Sequence, residues 1–286
     1  MQTVQIRQPA VSNLMVDSLD RTPYDFAAGT YSTPSSDFTI SKNQSILNGF
    51  FHRIATTEVV VDWAVPNIQS GAGFNNKNFT VQVGSGSPAT VTLPDGFYTV
   101  EQVLDRLVTL LNVAALGATF SIVAGPPVAL SATAPFTIIE TTLSNQLELT
   151  PGVSATSQII LSPDLRLATY MDFISPSLTY NQELKDAATT VSDQNVLCRW
   201  YFAWDNPPTY DLYGFPILQG YAQFVERRLF NPAKQIRWES NMPIGQLQFQ
   251  VTSGFNGALL NRQFGYIQGG GACLFNWLMT LQVSED

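Results

Sequence analysis

"NFTVQVGSGSPATVTLPDGFYTVEQVLDRLVTLLN", residues 78–112, decides between two folds. Its "GSGSPA" (84–89) matches the G-x-G-x-x-A spacing of a dinucleotide-binding turn, which must close a strand and open a helix. The strand is present, since "NFTVQV" alternates apolar and polar residues. The helix is not, because Pro88 and a second strand-like run, "ATVTL", follow. The glycines therefore read as a hairpin loop, and a doubly wound α/β fold is set aside.

A helix begins only after one more turn. Pro94, Asp95 and Gly96 have turn chemistry: proline presets φ, and glycine is expected to supply a positive φ. Thr99 with Gln102 three residues later has the spacing of a capping box, and Tyr98 with Val103 that of a hydrophobic staple. Val103, Leu104, Leu107, Val108 and Leu111 then share one face, with Glu101, Asp105 and Arg106 away from it. Glu101 also sits at the positive end of the helix dipole. The spacing predicts one amphipathic helix near 99–112 that covers a sheet, and Pro94, Gly96, Thr99, Gln102, Val103, Leu104, Leu107 and Leu111 as its structural residues.

Outward from this stretch the chain reads as short strands. "DFTISKN", "TTEVVVDWAV", "ATFSIV", "FTIIE", "QLELT" and "QIIL" come first, then "VLCRWYFAW", "GYAQFVERRLF", "KQIRW", "GQLQFQVTS" and "LFNWLMTLQV". Each is bounded by Gly, Pro, Ser or Asn, the pattern of an antiparallel sandwich or barrel. No period of 20–50 residues repeats, which disfavours solenoids and propellers. "SPDLRLATYMDF" (162–173), with Pro163 at a first-turn position, and "NQELKDAAT" (181–189) read as further short helices. Residues 1–35 show no sustained period and read as an extended arm whose Tyr24, Phe26 and Tyr31 dock on something.

Composition narrows the function. The 286 residues are 45% hydrophobic but only 13% charged, about half the usual charged fraction. Neutral Gln, Asn, Ser and Thr supply the polarity, which suits extended contacts because burying them costs less than burying charge. A net charge of −8 argues against general nucleic-acid binding. The one basic run, "ERRLFNPAKQIR" with Arg227, Arg228, Lys234 and Arg237, reads as a solvated face. No leader pattern and no membrane-length apolar run are visible.

Catalytic chemistry finds no footing. The single histidine, His52, lies among strand-like aromatics with no nucleophile elbow anywhere, and reads as structural. Cys198 and Cys273 suit neither a disulfide framework nor, with one histidine, a zinc site. "GGGA" (269–272) lacks the lysine of a phosphate loop. Asp205, Asp211 and Glu226 are too dispersed to form a carboxylate pair. No enzyme, metal or cofactor is expected.

Five segments in order resemble one family. "NQSILNGFFHRI" with "VVVDWAVPNI" resembles the opening strands of jelly-roll capsid proteins from virophages, polinton-like viruses and related large DNA viruses. "LPDGFYTVEQVLDRLVTLLN" is similar to that family's turn into a helix ending Leu-Asn. "LRLATYMDFISPSLTYNQELKDAAT" resembles its second helical signature, although Met171-Asp172-Phe173 stands where Leu-Gly-Phe is usual. "PAKQIRWESNMPIGQLQFQV" resembles the last strands, and "LQVSED" an acidic end. "TSGFNGALL" keeps Gly257 but lacks an acidic residue the family often has there.

The resemblance implies a mainly β chain: a single antiparallel jelly-roll sandwich over 36–286, with insertions, an inserted β-rich lobe at about 66–175, the helix near 99–112 and a few short helices. Two rolls would need roughly 400 residues, so the implied member is the penton. That is a homo-pentamer at the fivefold vertex of an icosahedral virion, with the major capsid protein around it, assembled inside the host cell. The arm of residues 1–35 would tie the vertex to its neighbours. The competing expectation is a glycan-binding spike or adhesin head that meets the host surface through Trp200, Tyr201, Trp204, Tyr210 and Tyr213.

Overall fold

The computed structural model describes residues 11–21, 24–25, 30–31, 33–41, 46, 51, 53–71, 74–149, 156–179, 196–203, 207–237, 244–253 and 275–285. In chain order the longer elements are β1 (Val11–Asp17), β2 (Asp37–Ser41), β3 (Arg53–Trp63), β4 (Asn78–Val83), β5 (Ala89–Thr92), α1 (Val100–Val113), β6 (Phe120–Val123), β7 (Ala129–Ile139) and α2 (Thr142–Gln146). β8 (Thr156–Ile160), β9 (Tyr170–Ile174), β10 (Val196–Tyr201), β11 (Phe224–Leu229), β12 (Gln235–Arg237), β13 (Gln246–Ser253) and β14 (Phe275–Ser284) follow. The chain divides into two compact units, one of Met1–Trp63, Ala168–Tyr201 and Val225–Asp286, the other of Ala64–Leu167 and Phe202–Phe224.

The first unit holds two main sheets, ordered β1-β14-β3-β11 (with β12 also along β3) and β10-β9-β13-β2, besides a two-residue ladder of Tyr24–Asp25 with Thr30–Tyr31. Taking β11 and β12 as one strand, the eight strands of the main sheets pair first with eighth, second with seventh, third with sixth and fourth with fifth. This is a long hairpin rolled on itself, closed by the antiparallel pairs β14–β3 and β9–β13. Nested pairing of eight antiparallel strands in two sheets is the jelly roll.

The core follows from alternation. On β14, Phe275, Trp277, Met279, Leu281 and Val283 are buried while the residues between them are not, as a period of two dictates. Trp277 reaches across to the other sheet, with ring centroids 5.6 Å from Phe38 on β2, 5.3 Å from Phe173 on β9 and 5.7 Å from Phe249 on β13. Its indole N–H donates to the Ser35 carbonyl at 2.8 Å, and its backbone N–H donates to the Ser18 hydroxyl at 2.9 Å. A buried tryptophan needs such a partner for its one polar atom.

The second unit is a sheet ordered β6-β7-β4-β5, with β8 also along β7, and α1 laid over it. "GSGSPA" is the β4–β5 hairpin, where Gly84 takes φ +53°.

Several expectations need correcting. Gly96 does not take a positive φ; it is small because a Cβ there would stand 2.9 Å from the ring of Tyr98. Residues 163–168 form no helix, and Tyr170–Ile174 is a strand. Asp164 explains this locally, because its carboxylate accepts from the backbone and guanidinium of Arg166 and diverts the turn. The described part of "QLELT", residues 146–149, is not a strand but the end of α2 and the turn after it, with Glu148 at φ +50°. "NQELKDAAT" lies outside the described residues, and the helices described are α1 and α2 with a three-residue 3-10 turn at Ser18–Asp20. Val11–Asp17, read as part of an arm, pairs along its length with β14.

Candidate functional site

The helix and its turn are built as a clamp. Thr99 Oγ1 accepts from the backbone N–H of Gln102 at 3.3 Å, and Gln102 Oε1 accepts from that of Thr99 at 2.9 Å. Val103, Leu104, Leu107 and Leu111 are fully buried among Phe79, Val81, Phe120 and Phe136. Pro94 accepts from the Tyr98 hydroxyl through its carbonyl. Neutral amides tie the backbone together here. Asn67 and Tyr98 exchange two bonds of 2.8 and 2.9 Å, and Asn112 bonds both backbone groups of Phe120 at 2.7 and 2.9 Å. Thr99→Ala should destabilise the protein by about 1 kcal/mol, through loss of the cap, read by chemical denaturation against a substitution at exposed Val113.

The start of α1 has a further partner that sequence spacing could not reveal. Asp211, far along the chain, accepts from the backbone N–H of Glu101 at 3.0 Å, while the Glu101 carboxylate accepts from that of Leu212 at 2.9 Å. The segment 209–217 is a tight hairpin, with Gly214 at φ +83° and Asp211 Oδ1 accepting from the N–H groups of Tyr213 and Phe215. The Tyr213 hydroxyl donates to Asp105 at 2.6 Å.

Burial, and then the Asp105 bond, push the Tyr213 phenol up from 10.0 to about 12. A raised phenol pKa favours the folded state below the unfolded value, and that contribution is lost as pH rises through the folded one. Stability should therefore fall between about pH 10 and 12. Tyr213→Phe should flatten that fall, as seen in thermal unfolding over an alkaline pH series.

The expected binding aromatics separate. Trp200 is buried, with the Arg228 guanidinium 4.0 Å from its ring centre. Tyr201 and Tyr210 are 55% and 60% exposed. Tyr213 is engaged by Asp105, and Trp204 lies outside the described residues.

The basic run forms β11 and β12. Arg227 pairs with Glu58, Arg228 with Glu226, and Lys234 donates to the Val196 carbonyl at 2.7 Å. The Arg227 hydrogen bond holds the Glu58 carboxyl below its ordinary value.

Cys198 is buried and its thiol is pushed well up by desolvation, so it is a poor nucleophile. His52, Cys273, Asp205 and "GGGA" lie outside the described residues. Among the described residues no group of three or more His, Cys, Asp or Glu could hold a metal, and no helix is long and apolar enough to cross a membrane. What the geometry presents is surface: two sheet edges, one hairpin tip and an aromatic pair.

No protein-family profile matches the chain, and no curated protein matches it. Among solved structures, it is similar to the mavirus penton protein at a TM-score of 0.44 and 9% identity, covering 98% of this chain and 99% of that one. It is similar to a chain in the cryo-electron-microscopy structure of the Sputnik virophage at a TM-score of 0.47 and 13% identity, covering 97% and 99%. The jelly-roll assignment stands on the strand pairing of this chain itself.

Proposed function

We propose that the chain is a structural capsid protein, the penton of an icosahedral virus, which assembles as a homo-pentamer at the fivefold vertex with the major capsid protein around it. One observation carries this reading: a single jelly roll, wound first strand to eighth, takes a long β-rich insertion between its third and fourth strands. The five ordered sequence segments support it. On this reading the chain is not an enzyme, and it resides in the virion after assembly inside the host cell. Native mass spectrometry of the purified chain should give a species of five copies. A strict monomer at high concentration, with no ring formed beside the major capsid protein either, would sink the reading.

A second reading, host glycan binding, is favoured by Tyr201, exposed beside Tyr170 with ring centroids 5.8 Å apart and Arg199 4.0 Å from the Tyr170 ring centre. Exposed aromatic faces of this kind stack on sugars. A glycan array should then give hits that Tyr201→Ala abolishes; an array without hits removes this function.

A further inference from the structure

The sheet β1-β14-β3-β11 has two edges, and they are chemically opposite. On the β1 edge, Val11 and Met15 point outward at 57% and 65% exposure, followed by Leu19 at 48%. The charges of residues 11–20 are Asp17 and Asp20, with no cation among them. On the other edge, Val225 and Leu229 are 72% and 66% exposed on either side of Arg227. Residues 224–237 there carry four cations, Arg227, Arg228, Lys234 and Arg237, against the single acid Glu226. The adjacent β3 adds Arg53 with Glu58 and Asp62, which leaves this edge positive. Four of the large exposed apolar side chains among the described residues thus stand on the two edges of one sheet, with opposite charge around each pair.

Exposed apolar side chains that stand together mark contact surfaces more often than singly scattered ones do. Complementary charge fixes which surface meets which. An acidic edge against a second acidic edge, or a basic one against a basic one, is repelled, which disfavours a two-fold contact. Acidic edge against basic edge is a heterologous, head-to-tail contact, the kind that closes into a ring. We infer that a second copy of this chain docks its β11–β12 edge on the β1 edge of the first, and that repetition of this contact closes the oligomer. The inference rests on the pentamer reading for the number of copies, but not for the choice of edges.

The test uses two single variants of the full chain. Met15→Arg places a cation on the edge that must meet cations, and Leu229→Glu an acid on the edge that must meet acids. Each variant keeps one intact edge. Native mass spectrometry should show five copies for the parent chain and one copy for each variant alone. A mixture of the two should give 1:1 hetero-oligomers, beginning with the dimer, that neither variant forms by itself. Raising the salt concentration should loosen the parent ring.

Five-copy rings from both variants would overturn the edge assignment and leave the pentamer reading standing. A parent ring of another size, broken by the same two variants and restored in the same 1:1 manner, would keep the edges and sink the pentamer. A parent chain that forms no closed oligomer at any concentration would remove both. If circular dichroism shows either variant unfolded, Val11→Arg and Val225→Glu serve in its place on the same edges.

Discussion

Trp277→Ala should lower the unfolding free energy by about 3–5 kcal/mol, the range for removing a large buried aromatic. The indole touches three rings of the opposite sheet, Phe38, Phe173 and Phe249, so its loss opens a cavity that neither sheet can fill alone. It also removes the hydrogen bond that the indole donates to the Ser35 carbonyl, a contribution of about 0.5–1.5 kcal/mol. Trp277→Phe separates the two terms, since it keeps most ring contact and removes only the N–H. Chemical denaturation should rank alanine well below phenylalanine, and phenylalanine below the parent. If alanine costs no more than Val113→Ala at an exposed position, Trp277 is not the pillar between the sheets.

Leu107→Ala should cost about 2–5 kcal/mol, and the upper half of that range is expected. A cavity is cheap when neighbours can move into it, but α1 is pinned at both ends. Thr99, Gln102 and Asp211 fix its start, and the Asn112–Phe120 bonds fix its finish. Leu107 lies midway and fully buried, in the same core cluster as Phe79, Phe120 and Phe136. The helix cannot slide to heal the hole. Besides a lower denaturation midpoint, backbone hydrogen exchange over β4, β6 and β7 should speed up relative to an exposed control such as Val113→Ala. Unchanged exchange there would mean that α1 does not hold the sheet.

Much of this architecture could be read from the sequence where the signal is local. The capping residues of α1 lie within four positions of one another, so spacing alone marked its start. The turn residues around "LFNWLMTLQV" marked it as a strand, though not which of its faces is buried. The misreadings share one cause, which is local hydrogen bonding that imitates or overrides a periodic pattern. Leu165, Leu167 and Ala168 have an apolar density that suits a helix, yet Asp164 turns the chain before one can form. Leu147 and Leu149 are both buried with Glu148 between them, as in a strand, but the alternation is made by a turn with Glu148 at φ +50°.

Pairing order left no trace in the sequence, because which strand neighbours which depends on contacts between remote segments. The same distance hid Asp211 as the partner of Glu101, 110 residues away. At the candidate surfaces, sequence showed which residues were aromatic or basic but not which way they faced. Trp200 proved to be core and Tyr201 surface, although they are adjacent.

The first-to-eighth pairing also sets an order in time. Ser18 and Trp277, 259 positions apart, are bonded, and β14 is not an edge strand but lies between β1 and β3. Folds dominated by such remote contacts form slowly, in about milliseconds to seconds. During synthesis β1 must wait, unpaired, until almost the whole chain has left the ribosome, whereas most of the inserted lobe, Ala64–Leu167, is by then long complete. A chain cut just before Phe275 would keep both outer strands of that sheet and β3, and lose the one strand that joins β1 to β3.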